Sequence, residues 1–170
     1  MESVRERVLG FVRAYPGVHA REVERRLQLS SRLASYHLEA LQEHGQVQCL
    51  EETGYSRFFP AVGHPRWSRR EMQFLSLMRR QVSLRIVILL AQEGESTRER
   101  LAGRLNLARA SVSHHLALLA EGGLLRAEQR GRERIVRLAD PRHTLGMLAN
   151  FTPLPDELEP FEQMWKDLMA

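Results

Sequence analysis

A chain of 170 residues, 43% of them hydrophobic, has room for one large or two small packed domains. The single cysteine, Cys49, excludes an intrachain disulfide and a thiolate zinc cage, and its place in an expected strand makes it a small core residue. No apolar run approaches the ~20 residues of a membrane span, and the amino terminus is charged from Glu2 onward, so no leader, no membrane partner and a cytoplasmic location are expected. The net charge of +4 is unevenly spread. Residues 1–62 are neutral, 63–92 hold six arginines against one glutamate, 93–140 hold nine arginines against seven acids, and 141–170 are acidic. Lys166 is the only lysine, a bias that fits a GC-rich genome better than a functional demand.

Residues 3–15 carry Val4, Val8, Leu9, Phe11 and Val12 at helical spacing, and Pro16 and Gly17 stop them. Residues 18–27 predict a short second helix with Val23 and Leu27 inward, and Ser30 or Ser31 is placed to cap the next. That third helix, about residues 31–44, buries Ala34, Leu38 and Leu41, turns Arg32, Ser35, Tyr36 and Glu39 outward, and closes at Gly45. Strands over 46–50 and 55–59 follow, joined by an acidic turn and ended by Pro60; Tyr55 and Arg57 are this hairpin's candidate contact residues.

Residues 61–65 look like a linker, and Arg66, Arg69 and Arg70 form a basic cluster around Trp67, a candidate for phosphate contact. The helix over 71–80 is apolar nearly all round and is expected to be buried, between domains or against a second subunit. Helices over 83–92 and 97–105 begin a second domain, and Ala108 stands where Ser30 stood, so a cap worth about 1 kcal/mol is missing or displaced.

The stretch 109–121 is the most informative. At 100° per residue, Val112, Leu116 and Leu119 form one apolar stripe, widened by Leu118, while Ala110, Ser113, His114 and Ala117 point away. A small, hydrogen-bonding outer face suits a DNA major groove, where bulk and negative charge are penalised. His37 and His115 flank the apolar stripes and are read as packed. Gly122 and Gly123 end the helix, and a strand over 124–128, a basic turn over 129–133 and a strand over 134–138 complete a winged helix. The tail adds a helix over 142–151 and an acidic, amphipathic one over 156–169, whose Phe161, Trp165 and Leu168 are expected to make a homodimer contact, the alternative being that the helix folds back on its own chain.

A shift of 78 positions lays Ser35, His37, Leu38, Leu41, Glu43 and Gly45 on Ser113, His115, Leu116, Leu119, Glu121 and Gly123. The repeat sets the architecture: a mainly α chain with small β-wings (α+β), built as two tandem winged helix-turn-helix domains at 1–62 and 83–140, a linker helix at 63–82 and a helical tail at 141–170.

The second copy resembles ArsR-type winged-helix repressors, through residues 83–90, 104–108, 111–119 and 122–125. The first is similar to single winged-helix regulators common in archaea, through residues 16–19, 36–41 and 55–60. The resemblance implies double-stranded DNA as partner, contacted by Arg32, Ser35 and Tyr36 in the first copy and by Arg109, Ser111, Ser113 and His114 in the second. Arg130, Arg132 and Arg134 would meet phosphates. It departs from the metal-sensing branch: the second helix of copy two has neither Cys nor His, and a lone Asp140 and His143 pair lacks a further histidine, so no metal and no cofactor are expected. The implied function is a sequence-specific regulator of transcription, a repressor by default. The alternative is a protein assembly module, suited to the acidic residues of domain one. An enzyme lacks support, with no phosphate-binding glycine loop and no nucleophile beside a base.

Overall fold

The computed structural model describes residues 2–52, 54–62 and 67–170, with the side chains of Leu168 and Met169 left aside. The linker residues 63–65, Arg66 of the basic cluster and Thr53 of the first turn therefore lie outside the described residues. The chain forms two compact units, Met1–Ser76 and Leu77–Ala170.

In the first unit, α1 (Val4–Ala14) opens with a reciprocal capping box between Ser3 and Glu6 and buries Val8, Leu9 and Val12. A two-residue strand, β1 (Val18–His19), precedes α2 (Ala20–Leu27) and α3 (Ser31–Glu43). The hairpin β2 (Val47–Glu52) and β3 (Tyr55–Pro60) follows. The antiparallel sheet runs β1-β3-β2, which puts β3 in the middle. Pro60 ends that ladder as expected, but from within it, opposite Val47. Helix α4 (Arg69–Met78) begins beside Ser68, whose hydroxyl and amide exchange hydrogen bonds with Glu71 at 2.7 to 3.2 Å. Its Phe74, Leu75, Leu77 and Met78 are all buried, as a helix apolar on every side should be.

The second unit repeats the plan: α5 (Gln81–Glu93), β4 (Glu95–Thr97), α6 (Arg98–Leu105), α7 (Arg109–Glu121), β5 (Leu125–Arg130) and β6 (Glu133–Leu138), with sheet order β4-β6-β5. The bounds of α6, α7, β5 and β6 are those of α2, α3, β2 and β3 moved by 78. The register moves with them: Cys49 faces Phe58 as Ala127 faces Val136. Even the left-handed residue closing the second helix recurs, Gln28 and Asn106 both at φ 54°. Among the described residues each unit is thus a winged helix.

The turn after α7 uses its two glycines differently. Gly123 takes the left-handed conformation at φ +73°, the expected helix stop. Gly122 is still helical, and a Cβ there would stand 2.7 Å from Leu77 Cδ1, so a larger residue would oblige the Leu77 side chain to shift.

Two short strands, β1 and β4, lie where the sequence predicted the start of a helix or no element. Two to three residues leave no periodicity to read; what makes them strands is pairing to a partner about 40 residues away, Val18 to Phe58 and Ser96 to Val136.

The tail folds back on its own unit. Asp140 caps α8 (Pro141–Ala149) by accepting from the His143 amide at 3.0 Å, which gives this carboxylate and histidine pair a structural role. Helix α9 (Leu158–Met169) packs on α5, and Phe161 is buried against Phe151, ring centroids 5.6 Å apart. Arg79 clasps the same corner, donating to the Thr152 carbonyl at 2.6 Å with its guanidinium 4.6 Å from the centre of the Phe151 ring. The expectation that Phe161 faces a second subunit is therefore corrected: this edge is spent within the chain.

The missing cap is real. Ser30 Oγ accepts from the Leu33 amide at 3.3 Å, whereas Ala108 offers α7 no side-chain cap. Ser30→Ala should cost about 1 kcal/mol and Ala108→Ser should return a similar amount, read as opposite shifts in urea midpoints.

Candidate nucleic-acid interface

In the first unit α3 and the hairpin enclose an open cavity of about 620 Å³. Arg21 and Glu24 of α2, Ser35 and Glu39 of α3, and Glu51 and Tyr55 of the hairpin line it, so its charges are one arginine against three glutamates. Cys49 lines the same space and is only half-buried, which corrects its assignment to the core. Burial and the nearby Glu51 push its thiol above the ordinary range, against a hydrogen bond from Ser56 that pulls it down.

Arg32 is exposed at the start of α3, and Tyr36 is 59% exposed, its ring edge-on to His37 at 5.2 Å. Tyr55 packs edge-on to His19 at 4.6 Å. Arg57 does not belong with them. It is 3% exposed, donates to the Gly17 carbonyl at 2.8 Å, and pairs with Glu52 at 3.4 Å. Burial draws its guanidinium below the ordinary value while Glu52 opposes that shift, so the cation is held inside the first unit by Gly17 and Glu52. The expected DNA contact from Arg57 is thus corrected. Arg57 shares a sheet face with fully buried Phe59, but Phe58 on the opposite face is buried as well, so alternation along β3 gave no signal that separates it.

In the second unit Arg109 is exposed at the first position of α7, Ser111 and Ser113 are half-buried, and His114 is exposed on the outer face. His115 turns inward to a 2.9 Å hydrogen bond with Ser83 Oγ. Burial, His114 and Arg80 hold its imidazole below the usual value, as fits a neutral, packed ring. Arg98, which the sequence reading passed over, stands at the first position of α6 and donates to Ser113 Oγ at 3.4 Å while pairing with Glu99 at 2.7 Å.

The three wing arginines are not alike. Arg130 is held by Glu95 at 2.6 Å and Glu128 at 3.4 Å, and these carboxylates raise its pKa further. Its cross-strand partner is Glu133, on the sheet face that also carries the opposed pair Arg126 and Arg137. Arg134 lies on the other face, which carries Val136 and the buried Leu138 inward to the helices, and it sits opposite Gln129. Arg132 occupies the tip. Both Arg132 and Arg134 are exposed and carry no ion pair among the described residues.

Residues 2–72 match the family profile HTH_HVO_0163_N, described as an N-terminal HTH domain. No curated protein matches the chain. Among solved structures, reduced HlyU from Vibrio cholerae is similar at 22% identity and TM-score 0.43, covering 47% of this chain and 83% of HlyU. The homodimeric winged helix-turn-helix domain of Mb0332 from Mycobacterium bovis, a possible ArsR-family transcriptional regulator, is similar at 24% identity and TM-score 0.42, covering 51% of this chain and 85% of that one. A ZitR mutant from Lactococcus lactis aligns over 81% of this chain and 93% of its own, at 17% identity and TM-score 0.34.

Proposed function

We propose that this protein is a sequence-specific, double-stranded DNA-binding regulator of transcription, acting as a repressor by occupying promoter DNA. The observation that carries this reading is the second unit's outer face. Arg109, Ser111, Ser113 and His114 stand along the start of α7, and Arg132 and Arg134, which have no carboxylate partner among the described residues, stand on the wing beside it. Side chains on such a helix read base edges, while the arginines fix register on phosphate. The match of residues 2–72 to a helix-turn-helix profile supports the regulator class for the chain, while the contact residues argued here are those of the second unit. A homodimer on a palindromic operator belongs to it, with Leu158 of α9, 44% exposed, as apolar surface left for a second copy.

The test is fluorescence anisotropy with the duplex upstream of the protein's own gene and with a scrambled duplex, at several salt concentrations. Expected is tighter binding to the upstream duplex, with log affinity falling linearly in log salt by about 0.9 per phosphate neutralised. Failure to bind either duplex at low salt would sink the reading and leave a protein partner as the target.

A further inference from the structure

The two units share one backbone plan, so corresponding positions can be compared in charge. In the first unit the helix–wing groove carries Arg21 against Glu24, Glu39 and Glu51. The same positions moved by 78 are Glu99, Ala102, Ala117 and Gln129: every groove carboxylate of the first unit is lost, and one new one enters. Four neutral groove positions, Ala20, Ser31, Gly54 and Ser56, become Arg98, Arg109, Arg132 and Arg134, while Tyr55 becomes Glu133. The groove inverts from three acids and one base to four bases and two acids.

We infer that the duplex is gripped by the second unit alone, through a phosphate clamp of Arg98, Arg109, Arg132 and Arg134, and that the first unit's groove repels the backbone. This rests on the DNA-binding reading above and divides its labour. Arg98 is the added phosphate ligand. At the first turn of α6 it sits where backbone amides also favour an anion, and its bond to Ser113 Oγ ties it to the outer face of α7. Glu99 shares its guanidinium at 2.7 Å, so a phosphate arriving there competes with an exposed carboxylate and adds charge where Arg109 also acts. At the matching positions the first unit's groove has Ala20, Ser31, Gly54 and Ser56 and no arginine. Its only wing arginine, Arg57, is buried, and Glu39 and Glu51 face the space a phosphate would enter. A carboxylate there meets duplex charge of its own sign at about one negative charge per 1.7 Å of helix axis.

The full chain is titrated against the same labelled duplex at several salt concentrations, as unaltered protein, as Arg98→Ala, as Arg98→Gln and as the double variant Arg32→Ala with Tyr36→Ala. Thermal melts check that each variant is folded. Expected for both Arg98 variants is roughly tenfold weaker binding, with the salt slope shallower by about 0.9. The first-unit double variant should bind within about twofold of the unaltered chain at an unchanged slope. Arg98 variants that bind normally, or a double variant that loses tenfold, overturn the inference while leaving duplex binding itself intact. No duplex binding by the unaltered chain overturns the inference and the reading beneath it together.

Discussion

The double variant Arg132→Glu with Arg134→Glu is expected to lose duplex binding by roughly 100-fold or more near 0.1 M salt, with a salt slope shallower by about 2. Each substitution removes a charge-assisted contact to phosphate and puts a carboxylate in its place, so attraction turns to repulsion at two points. Both side chains are exposed and unpaired among the described residues, so folding should be untouched and melting temperature should hold. Arg130→Glu makes the contrast. Arg130 already serves Glu95 and Glu128 on the opposite sheet face, so its reversal should weaken binding far less while disturbing the β4 end of the sheet. Equal losses from Arg130 and from the Arg132 and Arg134 pair would mean that net charge matters and position does not. Unchanged affinity in the double variant would take the second wing out of the interface.

The repeat was the most legible feature of this chain, because the offset of 78 is written in residues that pack: Leu38 on Leu116, Leu41 on Leu119, Gly45 on Gly123. Buried apolar spacing is local, so helix ends followed from it closely, and the absent cap at Ala108 could be read from one residue. What escaped was set by partners distant in sequence. β1 and β4 exist only through β3 and β6. Arg130 looked as free as Arg132 until Glu95, 35 residues earlier, was brought beside it. The burial of Phe161 depended on Phe151 and α5 across the proline-rich turn, where an amphipathic pattern says only that one face needs cover. The opposite charge of the two grooves was in the sequence throughout, but only the cavity identified which positions to compare.

Arg57 carries the largest expected effect on stability. It crosses the centre of the first sheet to hold the turn before β1 through the Gly17 carbonyl and the end of β2 through Glu52. Arg57→Ala removes the donor to that carbonyl and the ion pair with Glu52, and opens a void beneath the strand. The first unit should lose about 3 kcal/mol, an amount that lowers its melting temperature by roughly 15 °C for a unit of this size. The internal repeat supplies the informative control. The position 78 residues on is Ile135, which fills the matching place in β6 without any charge. Replacing a buried ion by a well-packed apolar side chain is often close to neutral, so Arg57→Ile should restore the packing and lose only the hydrogen bond to the Gly17 carbonyl and the ion pair with Glu52, costing about 1 kcal/mol. Urea unfolding of both variants separates the possibilities. An alanine variant no worse than isoleucine would show that the void matters little and that the lost hydrogen bonds account for the whole cost. An isoleucine variant as stable as the unaltered chain would show that the ion contributes nothing the second unit lacks. Duplex binding should survive both changes, because neither touches the second unit.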